Sequence, residues 1–246
     1  MRGIVATSPA RPEWANWLLG GQLEGRDLQA LVEASRPVRH NSRRTLLRAE
    51  EDRVVLLIRG AAKAQLVTND GQEVITGIFG PGHAAGLLVA LGHADAVADL
   101  TCLGSVDALT VGGPAFRSLV NDRPAIMAAC LATVASQHAV ANAERARFAG
   151  TCIPQRVACR LLELATHWGR SEEDGVHITL PLTQEELAAW SGASRESVAK
   201  VLQGMRARGV LRTGRRSLTI LDLPRLRERC EQPARDELRQ LLATLT

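Results

Sequence analysis

The run from Leu182 to Leu202 leaves this chain little local freedom. Thr183 followed three residues later by Glu186 is a capping box, so a helix starts there and reaches Ser191. Gly192 supplies a sharp turn, and Ser194 caps a second helix. In that second helix Val198, Val201, Leu202 and Met205 form an apolar stripe, while Arg195, Glu196, Ala199, Lys200 and Gln203 share the outer face. Two capped helices around a glycine turn are a helix-turn-helix. Arginine and lysine donate to guanine O6 and N7, glutamate accepts from cytosine N4, and the N-terminal end of such a helix lies nearest the base edges. Arg195, Glu196 and Lys200 are placed to read bases, with Thr183, Ser194 and Ser197 beside them. Beyond Gly209, two short strand-like runs flank a basic turn, so Arg212, Arg215 and Arg216 read as a phosphate-touching wing. From Arg195 to Arg216 seven basic residues face one acid, Glu196, although the whole chain carries only +4. An ordinary helical hairpin with a solvated face is the competing reading; caps, turn, stripe and wing agree against it.

Upstream the pattern changes twice. Trp14 to Val32 has helical spacing of apolar residues. From Thr45 to Val111 the signals are strand-like: Arg53 to Ile58, Ala64 to Val67, and Glu73 to Phe79. Asn69-Asp70-Gly71 predicts a tight hairpin, and Gly80-Pro81-Gly82 another break. Arg123 to Phe148 reads as one long helix opened by Pro124. Met127, Cys130, Val134, Gln137, Ala141 and Phe148 recur on one side of it, which fits a dimer seam and fits packing on its own domain equally well. Gln155 to Trp168 predicts a further helix. Pro224 to Thr246 allows one or two amphipathic helices, expected to pack on the winged unit, with phosphate contact as the alternative. The expected class is α+β, divided as 1–35 (helical), 36–122 (β-roll), 123–150 (long helix), 151–222 (winged helix-turn-helix) and 223–246 (helical extension).

Other function classes find little support. The longest uninterrupted apolar run, Ala84 to Leu91, falls short of the roughly 20 residues of a membrane span, and no signal-like N-terminus occurs, so a cytoplasmic protein is expected. No HExxH, P-loop, GxSxG or GxGxxG pattern is present, and a Cys152–His167 pair would lack a third group, so no enzyme and no metal site are expected. The five cysteines form neither a disulfide framework nor a paired CxxC pattern and read as reduced thiols.

On these motifs residues 36 to 222 resemble the cyclic AMP receptor protein and fumarate-nitrate regulator superfamily of bacterial transcription factors. The resemblance implies a homodimer joined by the long helices, an N-terminal effector domain and a C-terminal winged helix on palindromic double-stranded DNA, with RNA polymerase as a candidate further partner. It matches Arg195, Glu196 and Lys200 to base-reading positions. Its cyclic-nucleotide cassette is degenerate here. Gly86 remains, but Leu87 stands where a glutamate would take the ribose hydroxyl. Ala96 and Val97 stand where an arginine and a hydroxyl residue would take the cyclic phosphate, and Ala141 and Asn142 fall at adenine-contacting positions. A phosphate without a cationic partner is costly to bury, so cyclic AMP is expected to bind weakly or not at all. No cysteine precedes Cys102, which removes an N-terminal iron-sulfur cluster, and His83 and His93 are lone haem candidates. Two further control inputs stay open: a small-molecule effector of another kind, or oxidation or nitrosation of Cys130 or Cys152. Against the thiol input, a small core role for these cysteines is the simpler reading.

Overall fold

The computed structural model describes residues 18–41, 43–93, 98–214 and 217–231. Trp14, Trp17, Ala96, Val97, Arg215, Arg216 and the last fifteen residues lie outside them. A 3-10 turn, Leu18–Gly21, leads into α1 (Gly25–Glu33), which buries Leu28 and Leu31. Eight strands follow: β1 (Arg36–His40), β2 (Thr45–Leu47), β3 (Arg53–Arg59), β4 (Ala62–Val67), β5 (Glu73–Phe79), β6 (Ala84–Ala85), β7 (Asp99–Cys102) and β8 (Val106–Gly112). They form two antiparallel four-stranded sheets, ordered β1-β8-β3-β6 and β2-β7-β4-β5. The alternation in β3 shows how they are covered. Val55 and Leu57 point into the roll with Leu47, Leu100 and Cys102, while Val54 and Leu56 point outward to Leu28, Leu31 and Phe116. The Asn69-Asp70-Gly71 turn closes β4 on β5, with the Gly71 amide bonded to Thr68 O and φ +81° at Gly71.

Short α2 (Leu87–Ala90) and α3 (Gly113–Asp122) complete the roll and lead into α4 (Pro124–Ala149). The expected seam on α4 is split by the structure. Ile126, Ala129 and Cys130 are buried in the helix's own domain, and the Gln137 amide donates to Ala84 O at 3.0 Å. The exposed large apolar residues of α4 are Met127, from the expected seam, and Leu131 and Val140, from outside it. The sequence spacing merged an inward and an outward face because alanines fill both. By length and apolarity Pro124–Ala146 also qualifies as a membrane span, although polar residues interrupt it; only 17% of its most apolar window is buried.

The C-terminal unit comprises α5 (Ile153–Trp168), β9 (Gly169–Glu172), β10 (Gly175–Ile178), α6 (Gln184–Ser191), α7 (Arg195–Ala207), β11 (Leu211–Gly214), β12 (Ser217–Ile220) and α8 (Leu223–Glu231). Its sheet runs β11-β12-β10-β9, so the wing hairpin is backed by a second hairpin, whose one signal in the sequence is Asp174-Gly175 before the alternating Val176 and Ile178. All four residues of β9 are exposed, and nothing apolar marks it as a strand. The cysteines require a correction. Cys159 on α5 and Cys230 on α8, 71 residues apart, are joined as a disulfide with Cα atoms 5.0 Å apart. Cysteine spacing could not reveal this, because it is the packing of α8 on α5 that brings them together.

Candidate nucleic-acid interface

The capping box expected at Thr183 is complete. The Glu186 amide donates to Thr183 Oγ1 at 3.1 Å, and the Thr183 amide donates back to the Glu186 carboxylate at 2.8 Å. Gly192 ends α6 with φ +57°, a left-handed conformation that a β-carbon strains. Ser194 Oγ then accepts from the Ser197 amide at 3.2 Å and starts α7. Val198, Leu202 and Met205 are buried and Val201 is partly so, which turns Arg195, Glu196, Lys200 and Gln203 to solvent along one side. The apolar stripe thus determines which side chains are presented, and the caps satisfy the amides at the presented end.

The wing is only partly as expected. β11 and β12 pair through Gly214 and Ser217, around Arg215 and Arg216, which lie outside the described residues. Arg212 is not a bare cation, because it is ion-paired with Asp174 in the loop between β9 and β10. The hydrogen bond from Arg212 holds the Asp174 carboxyl below the usual carboxylate range. Arg206 donates to Thr213 Oγ1 at 2.8 Å, tying α7 to the wing.

Two clusters not foreseen from sequence connect this unit to the rest of the chain. In the first, α6 lies against β5, and Ile75, Ile78 and Leu103 of the roll share one core with Leu187 and Trp190. At its edge Lys63 Nζ stands 3.3 Å from the Glu186 carboxylate, with side-chain exposures of 7% and 5%. Glu73 also pairs with Lys63, and Arg43 reaches Glu186 at 3.2 Å. Burial pushes the Glu186 carboxyl up, but hydrogen bonds from Thr183 and the nearby charges of Lys63 and Arg43 outweigh it, so the net shift is downward. The second cluster joins the end of α4 to the turn. Arg160 of α5, nearly buried, lies over Trp190 at 4.6 Å and over Phe148 at 5.3 Å. Its guanidinium pairs with Glu144 and Glu163 and donates to Trp190 O at 3.3 Å, while Arg156 stacks on Phe148 and donates to Gly192 O at 3.2 Å. The hint in the sequence was Arg156 and Arg160, four apart and so on one face of α5.

Of the cassette positions, Gly86, Leu87, Ala141 and Asn142 lie among the described residues. Leu87 is 3% exposed and packs in the core with Leu28 and Phe116. Gly86 has φ +80°, and a β-carbon there would sit 2.2 Å from Arg53 O, so its backbone geometry accounts for glycine without a nucleotide. Ala141 and Asn142 are exposed on α4, where Asn142 accepts from Arg145 and contacts His138. Of the two lone histidines, His83 is stacked on Phe79 with its ring nitrogen 3.4 Å from the Gln137 amide, and burial pushes it down to about 4. Among the described residues no cluster of histidine, cysteine or carboxylate side chains could hold a metal. Cys130 is buried and its thiol is pushed up to about 11 by that burial, a poor setting for a reactive thiolate; Cys152 caps α5 and is partly exposed.

A β-roll, a long helix and a capped helix-turn-helix with a wing define a DNA-binding transcription regulator. The family model of the Crp-like helix-turn-helix domain matches residues 155–229. A CRP-like cAMP-activated global transcriptional regulator of Mycobacterium tuberculosis is 33% identical over 204 residues, covering 82% of this chain and 91% of that protein. The chain belongs to the Crp/Fnr family of transcriptional regulators. Among solved structures it resembles the c-di-GMP responsive global regulator CLP of Xanthomonas campestris, with a TM-score of 0.70, 20% identity, and coverage of 79% and 97%. It also resembles a CRP/FNR-family transcriptional regulator from Thermus thermophilus, with a TM-score of 0.69, 24% identity, and coverage of 80% and 100%. The relatives are transcriptional regulators rather than enzymes.

Proposed function

We propose that this regulator acts in the cytoplasm as a homodimer on two-fold symmetric DNA, reading bases through Arg195, Glu196 and Lys200 without strict dependence on cyclic AMP. The carrying observation is the first two turns of α7, where the buried stripe of Val198, Leu202 and Met205 leaves those three side chains exposed at a capped helix start. Thr183, Ser194 and Ser197 stand at helix starts whose amides favour phosphate, and Arg212, Arg215 and Arg216 would add wing contacts, Arg212 on exchanging Asp174 for a phosphate. Dimerisation is supported by Met127, Leu131 and Val140, exposed on a helix that also carries His138, Asn142 and Arg145 and so suits a protein partner better than lipid. RNA polymerase is the further partner such a regulator would meet.

Leu87 supports independence from cyclic AMP, since a core leucine offers nothing to a ribose hydroxyl. The M. tuberculosis relative is cAMP-activated and the Xanthomonas protein c-di-GMP responsive, so similar folds carry different effectors. The test is fluorescence anisotropy of the full chain on a symmetric duplex with TGTGA half-sites and on a scrambled duplex, each with and without cyclic AMP. Preference for the symmetric duplex that ignores the nucleotide supports the reading. Binding that appears only with cyclic AMP refutes the independence, and equal affinity for both duplexes refutes base reading.

A further inference from the structure

The disulfide between Cys159 and Cys230 encloses the DNA-binding unit. β9, β10, α6, α7, β11 and β12 all lie between the two cysteines, so the bond closes recognition helix and wing into one covalent loop. The helix it holds touches the back of that loop. At the start of α8, the Leu221 and Asp222 amides donate to Val210 O at 2.9 and 3.2 Å, and Arg225 Nη1 donates to Arg208 O at 3.3 Å. Arg208 is the C-cap of α7, and Val210 precedes β11. At its other end α8 is fixed to α5 by the disulfide and by the Gln155 amide, which donates to Cys230 O at 2.9 Å; between them Leu226 is fully buried. The helix therefore braces the tail of α7 and the root of the wing against α5.

We propose that Cys159–Cys230 is a thiol–disulfide control site at which a dithiol reductant lowers DNA affinity by releasing α8. The inference rests on the DNA-binding reading above and names a control input for it. Cys230 is partly exposed and Cys159 is 4% exposed, so a thiolate of the reductant reaches Cys230 Sγ first. The S–S bond breaks, Cys159 leaves with the electron pair and takes a proton from water, and a mixed disulfide remains on Cys230. The reductant's second thiol then displaces Cys230, which is protonated in turn. The protein has gained two electrons and two protons, and the reductant has become a disulfide. A hydroperoxide reverses this: Cys230 thiolate attacks its O–O bond, releasing an alcohol or water and leaving a sulfenic acid, and Cys159 displaces water from it. Disulfides inside cells are more often redox-sensing than structural. Cys102 and Cys130 fit the role less well, since burial pushes their thiols up.

The experiment uses the full chain, oxidised with hydrogen peroxide or reduced with dithiothreitol, with bond state read by non-reducing peptide mass mapping. DNA affinity is measured by anisotropy, and amide hydrogen exchange is followed over residues 202–214. The expected result is a mapped Cys159–Cys230 bond, at least fivefold weaker DNA binding after reduction, and at least tenfold faster exchange at the tail of α7. Cys230→Ser should match the reduced protein and ignore dithiothreitol, whereas Cys152→Ser should respond like the wild type. Failure of the peptides to map as a disulfide after peroxide overturns the proposal, as does equal DNA affinity in the two states. Should neither state bind DNA, the DNA-binding reading falls separately, and unchanged exchange between oxidised and reduced protein then overturns the brace.

Discussion

Replacing Lys63 by methionine tests whether the β-roll and α6 are joined by charge. Two unit charges 3.3 Å apart attract by about 5 kcal/mol at an effective dielectric of about 20. Withdrawing both from water offsets much of that, yet removing one partner strands the other, and such changes cost about 3–5 kcal/mol. Here each ion keeps company: Glu186 retains Arg43 and the Thr183 cap, and Lys63 retains Glu73. Lys63→Met and Glu186→Gln should therefore each fall near the lower end, about 3 kcal/mol. The double variant should recover about 1–2 kcal/mol of the summed loss, because the stranded partner is gone. Urea unfolding followed by tryptophan fluorescence is a suitable assay, since Trp190 lies in the same core at 1% exposure. The sign of the pH effect follows from the lowered Glu186 carboxyl. Its contribution is fully present above the ordinary carboxylate range and is lost as pH falls through the lowered folded value. Wild type should thus lose more stability on acidification than Glu186→Gln. Single losses below about 1 kcal/mol, or strict additivity in the double variant, would refute the idea of a buried, coupled pair.

Three further changes probe separate joints. Thr183→Ala should cost about 1–2 kcal/mol in the same urea experiment, because it removes the acceptor for the Glu186 amide. Gly86→Ala should cost about 1–3 kcal/mol with no cyclic nucleotide present, since the strain at φ +80° and the approach to Arg53 O are independent of any ligand; a neutral outcome would hand that glycine back to nucleotide binding. Arg160→Met keeps much of the stem but leaves the Trp190 carbonyl and the Glu144 carboxylate without it, so about 3 kcal/mol should be lost, and Arg160→Lys should restore only part because an ammonium cannot stack as a planar fork.

What the sequence made legible is what short-range chemistry determines. Thr183, Glu186, Gly192 and Ser194 each act on backbone groups within four residues, so their spacing carried the helix-turn-helix, and Asn69-Asp70-Gly71 did the same for the β4–β5 hairpin. Features made by long-range packing were hidden. Cys159 and Cys230 meet only because α8 lies on α5, and the inward and outward faces of α4 could not be separated because alanines fill both. Glu186 is instructive because its cap role is local and was read, whereas its pairing with Lys63, far away in the chain, belongs to the assembled fold.

Those long-range contacts converge on one short helix. The start of α6 is held through Glu186 by Lys63 and Arg43 of the β-roll, and its end is held through Trp190 and the Gly192 carbonyl by Arg160 and Arg156, which rest on Phe148 of α4. α6 in turn packs on α7, whose far end is braced by α8. The roll and α4 are thus linked to α7 through contiguous contacts of charged and stacked side chains. Such groups are costly to leave half-paired, so they favour discrete arrangements over gradual ones.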